Sequence, residues 1–180
     1  MSAENKTENS RRDVLRARAK ALAREPESRQ ATVAALEVIE FGLAHERYAI
    51  EAAYVREVHP LEDLTPLPGT PPFVAGIVNV RGRILPVIDI KKFFDLPEPG
   101  ITDAHKILLV HTKEMELGIL ADTVVGVRSI PLDTIQSSLP TLTGLREEYL
   151  KGVTAERLVI LDAARILSDR RIMVHEEVEI

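Results

Sequence analysis

From Ala35 onward the chain is written in short apolar runs separated by turn residues. The runs Leu36–Leu43, Tyr48–Ile50, Val55–His59, Gly76–Val80, Ile84–Ile88, Ile107–His111, Leu117–Ala121, Val124–Ile130 and Leu158–Leu161 are rich in Val, Ile and Leu. These residues fit a pleated, half-buried surface. In the first run Ile39, Phe41 and Leu43 alternate with Val38, Glu40 and Gly42, which predicts a strand with one buried face. Short helices are predicted at Asp89–Phe94 and Asp162–Ser168, each opening on an Asp that can accept from free N–H groups of the first turn. Strands this closely spaced, with hardly any helix between them, predict an all-β fold with minor helices. Small antiparallel barrels are expected rather than a parallel sheet.

The pattern repeats. Tyr48-Ala49-Ile50, Val55, Val58 and Pro60-Leu61-Glu62 in the first half match Leu117-Gly118-Ile119, Val124, Val127 and Pro131-Leu132-Asp133 in the second. Gly76 matches Gly152, Arg81 matches Arg157, and PVIDIKKFF matches VILDAARIL. Matches of single apolar residues are cheap, but this order of events is specific. It predicts two similar β-subdomains of about 70 residues, each closed or nearly closed because closure removes exposed edges.

Before Ala35 the texture differs. Arg11–Arg24 reads as a helix with a narrow seam of Leu15, Ala19 and Leu22, stopped by Pro26. Three readings stand for it: a solvated helix, a segment that docks on a partner, and a basic membrane-surface helix. The last is disfavoured by the lack of large aromatic anchors. The first thirty residues hold no apolar signal stretch, and no run approaches a membrane span, so the expected address is cytoplasmic.

Charge narrows the partners. Residues 1–30 carry eight Lys/Arg against five Asp/Glu, whereas the rest holds fifteen against twenty-three. An acidic body repels a phosphate backbone unless it hides a basic patch. No such patch is legible. A β-barrel module for single-stranded nucleic acid, hooked by the basic arm, is the alternative from another class. Its weakness is that the chain has just seven Phe and Tyr for stacking.

Catalytic chemistry finds little support. The chain has no cysteine, which removes thiolate ligands and nucleophiles. His105 and His111 bracket one strand and lie about 20 Å apart, and His45 and His175 fit exposed positions. His59 beside Glu57, Glu62 and Asp63 is the one cluster that raises a metal hypothesis, and it matches no recognised ligand spacing. Asp89 and Asp162 stand at equivalent helix starts, which favours capping over a carboxylate pair. No enzyme, cofactor or metal is expected.

Two segments remain. Asn79-Val80-Arg81-Gly82 joins two strong strands, and Arg-Gly fits a two-residue hairpin loop with Gly at positive φ. Arg81 then sits at an exposed tip, either as a guanidinium that reads a partner's carboxylate or carbonyl, or as a solubilising charge. Pro60–Pro72, with five prolines, reads as a rigid connection across one end of a barrel.

These residues resemble the chemotaxis coupling proteins of the CheW type. The resemblance rests on Phe41-x-Leu43, Tyr48-Ala49-Ile50, Val55-x-Glu57-Val58, Leu67-Pro68 and Pro72-Phe73-Val74-x-Gly76. Asn79-Val80-Arg81-Gly82 and Leu85-Pro86-Val87-Ile88-Asp89 continue it, and the second half adds Leu117-Gly118-Ile119, Asp122, Val124, Val127 and Tyr149-Leu150-x-Gly152. It covers about 35–168. It implies two interleaved five-stranded SH3-like barrel subdomains flanking a groove, over residues 35–175. An N-terminal disordered or helical arm (1–34) precedes them and a tail (176–180) follows. It also implies a non-catalytic adaptor that joins chemoreceptors to a histidine kinase. The implied partners are the regulatory domain of a CheA-type kinase and the cytoplasmic hairpin tip of methyl-accepting receptors, with self-association in arrays conceivable and no membrane insertion. Carried over residue by residue, Val55, Glu57 and Gly76 would face the kinase, and Asn79, Arg81, Val124 and Val127 the receptor.

Overall fold

The computed structural model describes residues 34–96, 106–137 and 147–172. The predicted helix at 11–24, His105, His175 and the tail lie outside the described residues. Every predicted run falls inside a strand: β1 (Ala35–Leu43), β2 (Glu46–Glu51), β3 (Val55–Pro60), β4 (Val74–Val80), β5 (Arg83–Ile88), β6 (Lys106–His111), β7 (Glu116–Ala121), β8 (Thr123–Pro131) and β11 (Leu158–Leu161). Two strands were not predicted, β9 (Ile135–Gln136) and β10 (Leu150–Thr154). β9 is two residues long, and β10 contains Lys151 and Gly152, which break the apolar pattern. Both exist through their pairing partners. The α-helices among the described residues are α1 (Ile90–Phe93) and α2 (Ala163–Leu167). Asp89 caps the first by accepting from the Lys91 N–H at 3.0 Å, and Asp162 the second by accepting from the Arg165 N–H at 3.0 Å.

The strands form a five-stranded sheet in the order β3-β6-β7-β5-β4 and a six-stranded sheet in the order β8-β1-β2-β11-β10-β9. Laid over the repeat, the two orders are the same. β3, β6, β7, β5 and β4 correspond to β8, β1, β2, β11 and β10. Each half therefore lends its first hairpin to the sheet of the other half. The two repeats are thus interleaved rather than side by side along the chain. The barrels are mainly antiparallel, as expected, but the borrowed hairpin makes one parallel pair in each sheet, β5 with β7 and β2 with β11. Bulges fall at matching places too, at Arg56 and Val125 and at Ala75 and Lys151.

Both sheets curl on themselves. The proline-rich segment leaving β3 makes two backbone bonds to β4, from Thr65 N to Ile77 O and from Ile77 N to Thr65 O, both 2.9 Å. In the second barrel β9 leaves β8 and pairs with β10, with Gln136 opposite Val153. Counting β8 and β9 as one bent strand gives five strands in each barrel. Pro60–Pro72 is thus more than a crossing segment, because it supplies the residue that closes the first barrel.

Three apolar clusters follow from this exchange. Val78, Val80, Leu85, Val87, Ile107, Leu109 and Leu120 fill the first barrel. Val38, Ala49, Ile130, Leu158 and Ile160 fill the second. A larger core, with Phe41, Leu43, Tyr48, Leu108, Val110, Phe93 and Ile166 among its members, lies between them. The exchanged hairpins are consequently buried on both faces: Ile107 and Leu109 point into a barrel while Leu108 and Val110 point into the shared core. The same holds for β1, where Val38 and Glu40 are buried along with Phe41 and Leu43. The single buried face expected for β1 is therefore incorrect. Glu40 is tolerated inside because Arg47 and Arg128 reach its carboxylate at 3.3 and 3.4 Å. Among the described residues no helix is long and apolar enough to cross a membrane.

Candidate interaction surface

The hairpin between β4 and β5 turns on Arg81 at φ 52° and Gly82 at φ 82°. Positive φ at both central residues is the backbone of a two-residue hairpin turn whose twist matches its strands. The Asn79 side-chain oxygen accepts from the Gly82 N–H at 2.8 Å, so Asn79 shapes the tip. Arg81 projects from it with a side chain 75% exposed, and its guanidinium lies 3.0 Å from Glu57 on β3. Closure of the barrel brings these two together.

Gly76 directly follows the bulge at Ala75 in β4 and is buried. Its φ is +146°, and a Cβ there would run into the carbonyl of Thr65. Glycine is needed at this point because the closing segment packs directly on the backbone. The equivalent Gly152 lies equally close under Ile135 and Gln136.

The predicted residues thus fall into two groups. Val55, Glu57, Gly76, Asn79 and Arg81 all belong to the first barrel, and Glu57 and Arg81 touch. Val124 and Val127 lie on β8 of the second barrel. Val55 and Val124, equivalent in the repeat, are both partly buried against the shared core. Val127 is 71% exposed. Sequence reasoning passed over Val125 and Ile84, which are also largely exposed. Val125 is turned outward by the bulge in β8 and Ile84 sits across the hairpin from Asn79. A run of β-branched residues carries no sign of which member a bulge turns outward.

Ion pairs frame these strands. Glu116 on β7 receives Arg56 at 2.9 Å and also pairs with Arg83. Arg128 on β8 reaches Glu156 at 2.6 Å. The hydrogen bond to Arg128 holds the Glu156 carboxyl below its ordinary range, and Arg128 itself is pushed up. His59 spends Nδ1 on the Pro60 carbonyl at 2.8 Å. Among the described residues no three His, Asp or Glu side chains converge as a metal site. A groove of about 570 Å³ between the β6–β7 turn and α2 includes none of the predicted residues.

Two small β-barrels with exchanged hairpins and an exposed turn at the tip of the first define a fold of paired SH3-like barrels. The CheW-like domain model matches residues 37–171. The chain belongs to the CheW-like family of coupling proteins. It is 29% identical over 143 residues to a chemotaxis protein CheW of Treponema pallidum, covering 76% of this chain and 84% of that one. It is 34% identical over 131 residues to protein FrzA of Myxococcus xanthus, covering 69% and 81%. The crystal structure of the scaffolding protein TtCheW from Thermoanaerobacter tengcongensis superposes with a TM-score of 0.63 at 31% identity, covering 70% of this chain and 83% of that one.

Proposed function

We propose that this protein is a non-catalytic, cytoplasmic adaptor that couples methyl-accepting chemoreceptors to a CheA-type histidine kinase. The observation that carries the reading is that residues proposed for the two partners are held on one continuous core. Glu57, proposed for the kinase, lies on β3 of the first barrel, and Val127, proposed for the receptor, is exposed on β8 of the second. An adaptor needs two surfaces held at a fixed spacing. Here that spacing is set by exchanged hairpins buried on both faces.

In this reading Val55, Glu57 and Gly76 serve the kinase side, with Gly76 acting through the shape of β4 rather than by contact. Asn79, Arg81, Val124 and Val127 serve the receptor side. Simultaneous occupation raises the effective concentration of the second partner and turns weak sites into a stable assembly. Signal passes as a coupling free energy between the two occupied surfaces, with no bond made or broken.

The nucleic-acid alternative is not supported. Phe41, Tyr48, Phe93, Phe94 and Tyr149 are buried, and Tyr54 and Phe73 partly so. No aromatic ring stands fully exposed for a base to stack on.

The test is calorimetry of the full chain against a kinase regulatory domain and, separately, a receptor hairpin fragment. Saturable one-to-one binding to each is expected. Failure to bind either at tens of micromolar, by protein shown to be folded, overturns the proposal.

A further inference from the structure

The repeat allows one part of the molecule to be compared with another. Val55 corresponds to Val124 and Asp89 to Asp162, so Ala53 corresponds to Asp122 and Ala164 to Lys91. Around Asp122 the space between the β1–β2 turn and α1 is closed. Lys91 Nζ donates to Asp122 Oδ1 and the Ala44 N–H donates to Oδ2, both at 2.7 Å. The Lys91 and Asp122 side chains are 8% and 13% exposed.

At the corresponding place on the other side, Ala53 and Ala164 line the groove of about 570 Å³. Two methyl groups stand where the first side has a long cation and its carboxylate. The turn is longer as well. Thr112 N donates to Met115 O at 2.8 Å, and Thr112 Oγ1 accepts from the N–H groups of Glu114 and Met115. The walls include Tyr54, Met115 and Leu167, and His111, Lys113 and Glu114 stand at the rim. Lys113 has no ion-pair partner among the described residues.

We propose that this groove is the docking site of the chain's own segment 173–180, MVHEEVEI. Ile172, the last described residue, packs in the shared core just beyond α2, whose Ala164, Leu167 and Ser168 line the groove. An extended chain covers about 3.3 Å per residue, so the groove is within reach of the first few residues. The segment brings apolar Met173 and Val174, then Glu176, Glu177 and Glu179. The first pair suits walls that lack the carboxylate a buried cation would need. The acids suit the rim on the side of Lys113 and His111. Being tethered, the segment docks at high effective concentration, so modest contacts suffice. This inference does not rest on the adaptor reading.

The chain contains no cysteine, so the full-length variant Glu179→Cys carries a single nitroxide label. The expected NMR result is loss of amide signal at Ala53, Met115 and Ser168. Signals at Ala44, Lys91 and Asp122, the matching place without a groove, are expected to stay. In the same labelled chain, Ala53→Asp with Ala164→Lys rebuilds the ion pair inside the groove and should abolish the loss. The exposed change Lys113→Glu should lower the docked-to-free ratio about two- to fivefold, with added salt acting in the same direction. If the double variant melts early, Lys113→Glu decides alone. No loss at the groove, equal loss at both places, or loss indifferent to Lys113→Glu overturns the proposal.

Discussion

Arg81 and Glu57 meet at 3.0 Å although β4 and β3, which position them, stand at opposite ends of one sheet. The contact exists because the sheet closes on itself, and it links a residue assigned to the receptor side with one assigned to the kinase side. An exposed pair of this kind contributes less than about 1 kcal/mol to folding. Arg81→Ala should therefore leave the urea midpoint nearly unchanged. If Arg81 anchors the receptor, the same substitution should cost about 2 kcal/mol in receptor binding, roughly thirtyfold in Kd. Unchanged affinity by calorimetry would leave Arg81 as a turn charge.

Gly76→Ala should act on the fold before it acts on any partner. The added methyl meets the Thr65 carbonyl in a backbone held at φ +146°. A loss of about 3 kcal/mol is expected, from strain and from opening the barrel closure. Thermal denaturation checks it. A stable Gly76→Ala protein with weak kinase binding would reverse the assignment and make Gly76 a contact residue.

Lys91 and Asp122 tie α1 to the β1–β2 turn through a nearly buried ion pair. Lys91→Ala takes the cation from a nearly buried carboxylate and should cost about 3 kcal/mol. Lys91→Met with Asp122→Asn should recover most of that, because the amide oxygen still accepts from the Ala44 N–H while no charge is left buried. Denaturant titration of both variants separates the pair's contribution from that of packing.

Tyr149, Asp169 and Arg171 form a cluster whose pH response has a defined sign. Burial, then the hydrogen bond to Asp169, push the Tyr149 hydroxyl up to about 12. A free tyrosine titrates near 10, so this contribution is complete below about pH 10 and is lost as pH rises toward 12. The Arg171 hydrogen bond holds Asp169 well below the usual carboxylate range. Its contribution is complete above about pH 4 and is lost as the solution is acidified further. The stability gap between the native chain and Tyr149→Phe should narrow in strong base, and the gap to Asp169→Asn in strong acid. Gaps that do not vary with pH would show that the cluster acts through shape alone.

Much of this molecule was determined by its sequence. Nine strands, two capping aspartates, the Arg81-Gly82 turn and the duplication were legible because each depends on local chemistry. Alternation, a side-chain oxygen beside free N–H groups, and a glycine at positive φ are written within a few neighbouring residues. The tertiary structure alone decided which hairpins are exchanged, the parallel pairs and the burial of β1 on both faces, with Glu40 inside. It also decided that Thr65 closes the first barrel over Gly76, that Arg81 reaches Glu57, and that Ala53 and Ala164 leave a groove. Each of these depends on which distant segment arrives beside a strand. A repeat that matches its own other half gives no local signal of which half will supply the neighbour.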